Sequence, residues 1–278
     1  MSELTSPIDY LVIGTVTRDI APEEPTGYKA GGTVTFSGRV AQALGCHTAV
    51  LTSARPDYDL TPFMAGIEVS VIPSEEDSIF DNIYQGNNRI QVVHGVSGKI
   101  GMPDLPAAWQ NPAIVHLGPL TNEVDPEFVN AFPDSLVGIT PQGWMRRWGD
   151  DGRIYARSFA AEQMILEAAT ATVISEEDLL DDTMLERYIE WANILVMTQN
   201  YAGCTVFFNG GVHQVPAPQI ELVEPTGAGD IFAGAFFVQL WRNGGDPIQA
   251  AEFANKVAAH SVTKAELSEK VVAWHDLD

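Results

Sequence analysis

The chain carries at residues 224–230 the sequence Glu224-Pro225-Thr226-Gly227-Ala228-Gly229-Asp230, and the residues that follow, up to Phe237, are apolar or small. The small residues let the backbone approach a ligand closely, and the apolar stretch predicts a helix that begins here. The first turn of a helix presents N–H groups without intrahelical partners and the positive end of the helix dipole. The sequence therefore predicts an anion site, with phosphate as its commonest occupant.

Asp230 adds a carboxylate to the same helix start. A carboxylate is a poor neighbour for phosphate that is merely held, but it can remove the proton of a hydroxyl group that attacks phosphorus. The residue types also allow a simpler interpretation, in which Thr226 or Asp230 caps the helix after a Gly-rich turn. On residue types alone both interpretations stay open.

The dense pattern of small residues around the aspartate resembles the C-terminal signature of the ribokinase family, the PfkB-type carbohydrate kinases. The resemblance implies that Gly227, Ala228 and Gly229 form an anion hole for the transferred phosphate and that Asp230 is the catalytic base. It also implies an α/β, ribokinase-like fold, in which a central, mostly parallel sheet carries helices on both faces and a small β lid. We expect residues 1–278 to form one such domain.

The N-terminal part of the chain supports the resemblance. Tyr10 to Gly14 is a short apolar run that predicts a buried first strand. Asp19 follows where similar kinases bind substrate hydroxyls, and Gly31-Gly32, ahead of a helical pattern, resembles the Gly-Gly motif that lines the sugar pocket. Phe36 stands where many members have a substrate-binding Asn, and we expect Phe36 among the substrate-binding residues, with a different contact. A Gly-Gly pair by itself is also compatible with an ordinary turn.

Residues 69–99 alternate like a β-hairpin, with strands expected at Ser78 to Tyr84 and Arg89 to His94 around the turn residues 85–88. The resemblance makes this segment, together with residues 15–30, a lid that closes over the acceptor. Such a lid excludes water, which would compete for the phosphoryl group. Without the resemblance, an edge hairpin with no role in closure explains the pattern as well.

The middle of the chain alternates apolar runs with amphipathic stretches, which predicts a parallel sheet covered on both faces. The expected strands are Ala113–Gly118, Leu136–Thr140, Ala171–Ser175 and Ile194–Thr198, and the expected helices are Pro126–Phe132, Glu177–Glu190 and Pro247–Val262. Ligands gather at the carboxyl ends of the strands in such a sheet, so the residues that follow each strand are candidates for the site.

One strand exit, Ser175 to Asp178, stands where similar kinases hold magnesium through water. Asp178 is chemically adequate for that role, because Mg²⁺ keeps most of its water and needs few carboxylates. A helix cap followed by acidic first-turn residues explains the same residues almost as well.

Three further positions match the family's nucleotide-binding segments. Thr198 and Gly203 resemble a Thr-x-Gly-x-x-Gly stretch that binds phosphates together with Thr226, although Asn200 replaces the first Gly. Asn tolerates left-handed backbone best after Gly, so we expect the turn to survive the change. Asn255 lies in a helix that resembles the border of the adenine site, where small neighbours equally suit close helix packing.

Another strand exit, after Leu136–Thr140, brings Arg146 and Arg147 between two tryptophans. Guanidinium matches phosphate or carboxylate oxygens in a fork geometry, and Arg146 is the expected substrate contact. A surface turn is the alternative, and the sequence does not decide which arginine points inward.

The composition excludes several classes of protein. The net charge of −22, from 37 acidic and 15 basic residues, argues against nucleic-acid or membrane partners. Two cysteines and six dispersed histidines form no disulfide framework or metal cluster, and no apolar run spans a bilayer, so we expect a cytoplasmic protein. There is no P-loop and no dinucleotide-binding fingerprint.

The sequence therefore favours a phosphotransferase that uses ATP and Mg²⁺ to phosphorylate a small sugar, polyol, cyclitol or nucleoside. A ligand-binding or regulatory protein with the same fold and little catalysis is the alternative, motivated by the departures at Phe36, Ser175 and Asn200. The requirement for a monovalent cation and the formation of a homodimer, both of which occur in the family, stay open.

Overall fold

The described chain alternates strands with helices along most of its length. The structure is a computed structural model that describes residues 7–85 and 88–271. Its strands are β1 (Tyr10–Ile13), β2 (Thr17–Ile20), β3 (Tyr28–Gly31), β4 (Thr48–Ala54), β5 (Glu68–Pro73), β6 (Ser78–Gln85), β7 (Asn88–Gly95), β8 (Ile114–Leu117), β9 (Leu136–Ile139), β10 (Arg146–Trp148), β11 (Ile154–Ala156), β12 (Ala171–Ser175), β13 (Ile194–Thr198), β14 (Cys204–Phe208) and β15 (Gly211–Val215). Its α-helices are α1 (Thr33–Ala43), α2 (Glu162–Ala168), α3 (Asp182–Trp191), α4 (Ala228–Arg242), α5 (Pro247–Ser261) and α6 (Leu267–Lys270).

A nine-stranded sheet, the large sheet, forms the centre of the molecule in the order β15-β14-β13-β12-β9-β8-β1-β4-β5. All pairs from β13 to β5 are parallel, and β14 and β15 add an antiparallel edge. The four strands predicted for the middle of the chain are confirmed as β8, β9, β12 and β13. Of the three predicted helices, α3 and α5 form, whereas the expected helix at 126–132 is a short 3₁₀ helix, Pro126–Asn130.

Helices cover both faces of the large sheet, as expected. Tyr10 and Val12 of β1 belong to an apolar cluster with α1, α4 and α5, whereas Leu11 and Ile13 belong to a second cluster with α2 and α3. Successive side chains of a strand point to opposite faces, so an uninterrupted apolar run serves a sheet that is buried on both sides. None of the helices in the described ranges is both long enough and apolar enough to cross a bilayer.

A second, four-stranded sheet, the small sheet, has the order β3-β2-β6-β7. It contains the predicted hairpin, in which β6 and β7 pair in antiparallel fashion, while Gly86 and Asn87 of the expected turn lie outside the described residues. The predicted lid segment is too long at its start, because Glu68–Pro73 pairs with β4 at the edge of the large sheet. The small sheet therefore takes its second half only from Ser78 onward.

Short connections place the small sheet at the carboxyl end of β1. β2 begins at Thr17, shortly after β1 ends at Ile13, and β3 ends at Gly31, next to the start of α1. At the same edge the loops after β1 and β8 are in close contact, because a Cβ atom on Gly14 would overlap the carbonyl oxygen of Gly118. This edge is where the sequence predicts the site.

Candidate active site

The turn at the head of α4 requires glycine at its first position. Gly227 is the N-cap of α4 and has left-handed backbone angles, φ 80° and ψ −1°, which L side chains rarely adopt. A Cβ atom there would also overlap the ring of Phe36. Gly229 differs, since an added Cβ would meet nothing within 4 Å. The turn is thus packed against Phe36 at Gly227 and open at Gly229, and an anion site at a helix N-terminus needs such an open side.

Neither Thr226 nor Asp230 caps this helix. The N-cap residue of α4 is Gly227, so neither of the two side chains stands at the capping position. The carboxylate of Asp230 instead accepts a hydrogen bond from the Thr33 hydroxyl, with 2.7 Å between Oγ1 and Oδ1. Its main-chain carbonyl accepts from Ser37 Oγ, also at 2.7 Å. Two residues of α1 therefore fix the aspartate in the first turn of α4.

The Gly-Gly pair lies directly against Asp19. An added Cβ on Gly31 would come within 2.6 Å of both Asp19 Oδ2 and Thr17 Oγ1, and one on Gly32, at φ 92°, would come within 2.5 Å of a carbonyl oxygen. Thr17 Oγ1 also donates to Asp19 Oδ1 at 2.7 Å. The pair is thus a close-contact segment and not an ordinary turn, and it runs straight into Thr33, the partner of Asp230. The structure brings the two predicted halves of the site together through residues 31–33.

Phe36 takes a different place from the one predicted. The sequence put it among the substrate-binding residues, but its side chain is only 5% exposed and its ring supports Gly227 from within the core. An Asn at this position would offer a polar contact, whereas the Phe36 ring packs against the turn at Gly227. We therefore assign Phe36 to the support of that turn.

Of the two adjacent arginines, Arg146 is the one that points inward. It is 6% exposed, its Nη2 donates to Gln91 Oε1 of β7 at 2.7 Å, and its guanidinium lies 5.9 Å from the Phe80 ring of β6. Arg147 is exposed and lies over the Tyr155 ring. Arg146 therefore connects the exit of β9 to the underside of the small sheet.

The predicted magnesium residue is held by its own turn. Asp178 Oδ2 accepts from the Ser175 main-chain N–H at 3.1 Å in a capping box, and Oδ1 accepts from Gln142 Nε2 at 2.8 Å. Each carboxylate oxygen keeps a further lone pair, so Asp178 can still accept a hydrogen bond from metal-bound water. Within residues 7–85 and 88–271, no group of three or more His, Cys, Asp or Glu side chains could hold a metal ion. The donor set fits a cation bound mainly by phosphate and water.

The turn after β13 keeps its shape despite the change from Gly to Asn. Asn200 has a φ of 51° and Gly203 a φ of 97°, and the Gln199 N–H donates to the Gly203 carbonyl. Thr198 Oγ1 donates to the main-chain carbonyl of Ile174 in the neighbouring strand. Asn200 therefore keeps the left-handed backbone that a glycine would supply at this position.

Asn255 joins α5 to the end of β15. The residue is 5% exposed, and its amide nitrogen donates to the main-chain carbonyl of Val215 at 2.9 Å. This contact occupies the amide donor in packing, so a role of Asn255 toward adenine stays a prediction.

Two residues that the sequence did not point to take part in the site. Thr33 is separated from Asp230 by 197 positions, and Lys270 reaches the segment before the anion hole from the end of the described chain. Glu224 accepts from Lys270 and from the main-chain N–H of Thr226. Burial acts to raise the pKa of Glu224, but these hydrogen bonds outweigh it and hold that pKa below its ordinary value. A single Thr or Lys forms no motif of characteristic spacing, so the sequence alone does not identify Thr33 or Lys270 as partners of this segment.

His116 illustrates the opposite case, a buried titratable group with no catalytic geometry. Its Nδ1 lies 2.8 Å from Tyr10 Oη and its Nε2 lies 2.9 Å from Thr140 Oγ1, while the Phe237 ring packs edge-on against it. Burial lowers the pKa of His116 to about 3, so the ring is neutral at physiological pH.

Comparison with known proteins supports the resemblance in the C-terminal part of the chain. Residues 162–273 match the family model described as pfkB family carbohydrate kinase. The C-terminal part of the chain therefore carries a pfkB-type carbohydrate kinase match. The fold of the chain is confirmed as ribokinase-like, and the matched residues include the anion-hole turn and Asp230.

Individual relatives of this kinase are distant. The cytidine kinase of Thermococcus kodakarensis is 24% identical over 246 residues, which are 82% of this chain and 87% of that protein. A sulfate complex of a pyrophosphate-dependent kinase in the ribokinase family superposes with a TM-score of 0.79 at 19% identity, covering 96% of this chain and 98% of the other. A pyrophosphate-dependent kinase of the family, complexed with a pyrophosphate analog and myo-inositol, gives a TM-score of 0.76 at 20% identity over 91% and 94% of the two chains. At these identities the solved structures establish the fold.

Proposed function

We propose that this kinase transfers the terminal phosphoryl group of ATP to a hydroxyl group of a small sugar, cyclitol or nucleoside, with Asp230 as the base. The observation that carries the proposal is the arrangement at the head of α4. There an open, left-handed glycine turn and a carboxylate held by Thr33 occupy the same helical turn. An anion site alone would not need that carboxylate.

In the proposed reaction the acceptor hydroxyl gives its proton to Asp230 as its oxygen forms a bond to phosphorus. The bond between that phosphorus and the bridging oxygen breaks, and ADP leaves with the electron pair. The main-chain N–H groups of Gly227, Ala228 and Gly229 stabilise the charge on the transferred group. Because this transition state needs positioning more than covalent chemistry, a rigid turn and a fixed base supply most of what the protein contributes.

We place the acceptor between the small sheet and the head of α4. Asp19, with the backbone of Gly31 and Gly32, offers hydrogen-bond acceptors to a polyhydroxylated ligand, and Arg146 bounds the same space beneath β6 and β7. The small sheet acts as the lid, and its closure excludes water from the phosphoryl group. The cytidine and myo-inositol named for the relatives are both polyhydroxylated and fit this class.

An apolar surface next to the turn supports ATP as the donor. Ile220, Leu222 and Val223 expose 43%, 61% and 58% of their surface just before the anion hole. Exposed apolar groups of this kind mark interaction sites, and a purine base can use them whereas pyrophosphate cannot. Thr198 and Gly203 would hold the donor phosphates, with Thr226 beside them. Mg²⁺, held through water near Asp178, would neutralise phosphate charge.

The test is a substrate panel with a matched pair of aspartate variants. Turnover is measured with ATP or pyrophosphate as donor, Mg²⁺, and acceptors that include myo-inositol, cytidine, ribose and fructose. Asp230→Asn should lower kcat by at least about 10²-fold, since general-base catalysis contributes on the order of 10²–10⁴. Donor binding should change little. Asp182→Asn, at an exposed first-turn aspartate of α3, serves as the control and should keep its activity.

Two results would overturn the proposal. An Asp230→Asn enzyme with near-normal kcat would exclude the aspartate as the base. Saturable binding of an acceptor without turnover by either donor would favour a binding or regulatory protein. Turnover with pyrophosphate alone would keep the chemistry and reassign the donor.

A further inference from the structure

Lys270 is a buried cation with three oxygen partners. Its side chain is only 2% exposed, and its Nζ donates to the main-chain carbonyls of Glu224 and Thr226 and to Glu224 Oε2, each at 2.8 Å. An ammonium group has three hydrogens, so its hydrogen-bonding capacity is filled. A buried ammonium is tolerated only when it is paired and hydrogen-bonded, and here both conditions are met by one short segment.

The contact with Thr226 has a direct geometric consequence for the anion hole. The Thr226 carbonyl and the Gly227 N–H belong to the same peptide unit. In a planar trans peptide these two groups point in opposite directions. By holding the carbonyl on one side, Lys270 fixes the direction of the Gly227 N–H on the other. A hydrogen bond from a charged donor to the carbonyl also polarises that N–H, which strengthens it as a donor.

Glu224 is the second charged residue of this arrangement, which we call the Lys270 clamp: Lys270, Glu224 and the Thr226 carbonyl. One of its carboxylate oxygens binds Lys270 and the other accepts the Thr226 main-chain N–H at 2.9 Å. The pKa of Glu224 is held below its ordinary value, so its carboxylate is ionised at neutral pH. The main-chain N–H groups of Val223 and Glu224 both donate to the Val262 carbonyl at the end of α5, which fixes the start of the segment. The segment before the turn is therefore held both by the end of α5 and by Lys270.

The three oxygens also have the chemistry of a cation site. Main-chain carbonyls and a carboxylate are the ligands that hard cations prefer, and rings of carbonyls bind monovalent cations elsewhere. The Lys270 ammonium lies among these three oxygens, and because it is covalently attached to the chain it is a cation that cannot dissociate. We propose that Lys270 is a positioning residue that orients the Gly227 N–H, and that it replaces a dissociable monovalent cation at this segment. The proposal rests on the proposed function for its effect on turnover.

The experiment compares Lys270→Ala and Lys270→Met with Lys264→Ala, a partly exposed lysine of the same C-terminal region. Activity and melting temperature are measured in choline chloride, KCl and NH₄Cl at equal ionic strength. We expect Lys270→Ala to lower kcat by at least about tenfold in choline chloride with little change in acceptor KM. Outright loss of one oxyanion donor lowers kcat on the order of 10²–10³-fold. KCl or NH₄Cl should restore part of that loss, because the small side chain leaves the oxygens free to bind a cation.

Lys270→Met should stay impaired in all three salts, because its side chain fills the space without a charge. The wild-type protein and Lys264→Ala should have the same kcat in each salt. A purely structural lysine would lower stability in every variant without any cation-specific rescue of kcat. Wild-type activity that requires KCl, or a Lys270→Met enzyme with normal kcat, would overturn the proposal.

The melting temperature provides a readout that does not depend on turnover. KCl should raise the melting temperature of Lys270→Ala by several degrees relative to choline chloride, since a ligand that binds only the native state stabilises it. It should leave the wild type unchanged. If the wild type turns over no acceptor in the panel, the proposed function fails, and this cation-specific shift still decides the assignment of Lys270: its absence overturns it. If Lys270→Ala does not fold in choline chloride, recovery of a cooperative transition in KCl gives the same decision.

Discussion

At the scale of single residues, the Asp230 carboxylate, our proposed base, is bound by a hydroxyl group from the N-terminal part of the chain. Thr33 Oγ1 donates to Asp230 Oδ1, and the Thr33 methyl group lies so close to Gly118 that a Cβ atom there would overlap it. The two functions of Thr33 use different atoms. Hydrogen bonding to the base and packing against the β8 exit can therefore be separated by mutation.

Thr33→Val keeps the methyl contact and removes the donor, whereas Thr33→Ser does the opposite. A hydrogen bond to a charged group contributes about 1.5–3 kcal/mol. We therefore expect Thr33→Val to lower kcat by roughly 10–100-fold with the donor KM nearly unchanged. Thr33→Ser should retain most of the wild-type kcat and lose some thermal stability. Steady-state kinetics with calorimetry checks both, and a Thr33→Val enzyme faster than Thr33→Ser would contradict the assignment.

The sequence predicts a site residue when that residue belongs to a motif with a characteristic spacing, and it fails when the residue acts through groups that are common to the whole chain. Asp230 and Gly227 stand in a run whose spacing is itself informative, and the structure accounts for that spacing through a left-handed N-cap. Arg146 and Arg147 have the same residue type in adjacent positions, so only the strand that they form decides which one is buried. Lys270 acts on carbonyl groups, which every residue has, and no sequence pattern marks them.

At the scale of secondary-structure elements, the close contact between α1 and α4 holds the site together. A Cβ atom added to Gly234 of α4 would come within 2.6 Å of Val40 Cγ1 and 3.1 Å of Ser37 Cα. The helices can approach this closely only because that position has no side chain. The Ser37 hydroxyl, which binds the Asp230 carbonyl, lies in the same interface.

Two Gly→Ala substitutions in α4 should have opposite effects on the free energy of unfolding. Gly234→Ala overpacks the interface with α1, which typically lowers stability by about 1–3 kcal/mol. Gly229→Ala points into open space in the first turn and should leave stability unchanged or raise it by up to about 1 kcal/mol, because Ala favours helix. Urea unfolding followed by circular dichroism measures both. A Gly234→Ala protein as stable as the wild type would show that the interface is not tightly packed.

The strands and helices are easier to predict from the sequence than the neighbouring strand with which each strand pairs. Buried strands such as Ile194–Thr198 are apolar on both faces, and the alternation of strands with helices determines a parallel sheet. The predicted lid segment, residues 69–99, includes most of Glu68–Pro73, whose alternating pattern suits any half-buried strand. That strand pairs instead with β4, and the sequence has no signal for the choice between two sheets.

At the scale of the whole molecule, the net charge of −22 is the dominant property. Charges of one sign repel each other in the folded state and less in the expanded one, so this excess lowers stability. It also opposes the approach of a polyanionic donor. The anion-hole turn and the Lys270 clamp are therefore local features that act against the global field.

The melting temperature of the wild type should rise with ionic strength. Screening lengths fall to about 10 Å at 0.1 M salt, so repulsion between distant carboxylates weakens first. Differential scanning calorimetry between about 10 and 300 mM choline chloride tests this, since choline avoids specific binding to the segment at Glu224. A melting temperature that stays constant or falls would show that the surface carboxylates are already balanced by their nearby partners.

The Gly31-Gly32 junction has a consequence for motion. Strand β3 of the small sheet ends at Gly31, and Thr33, the first residue of α1, binds the Asp230 carboxylate. In the proposed reaction, the backbone that lines the acceptor and the hydroxyl that orients the base are therefore parts of one three-residue segment. A movement of the small sheet that strains this segment would act on the proposed base directly, without a separate relay.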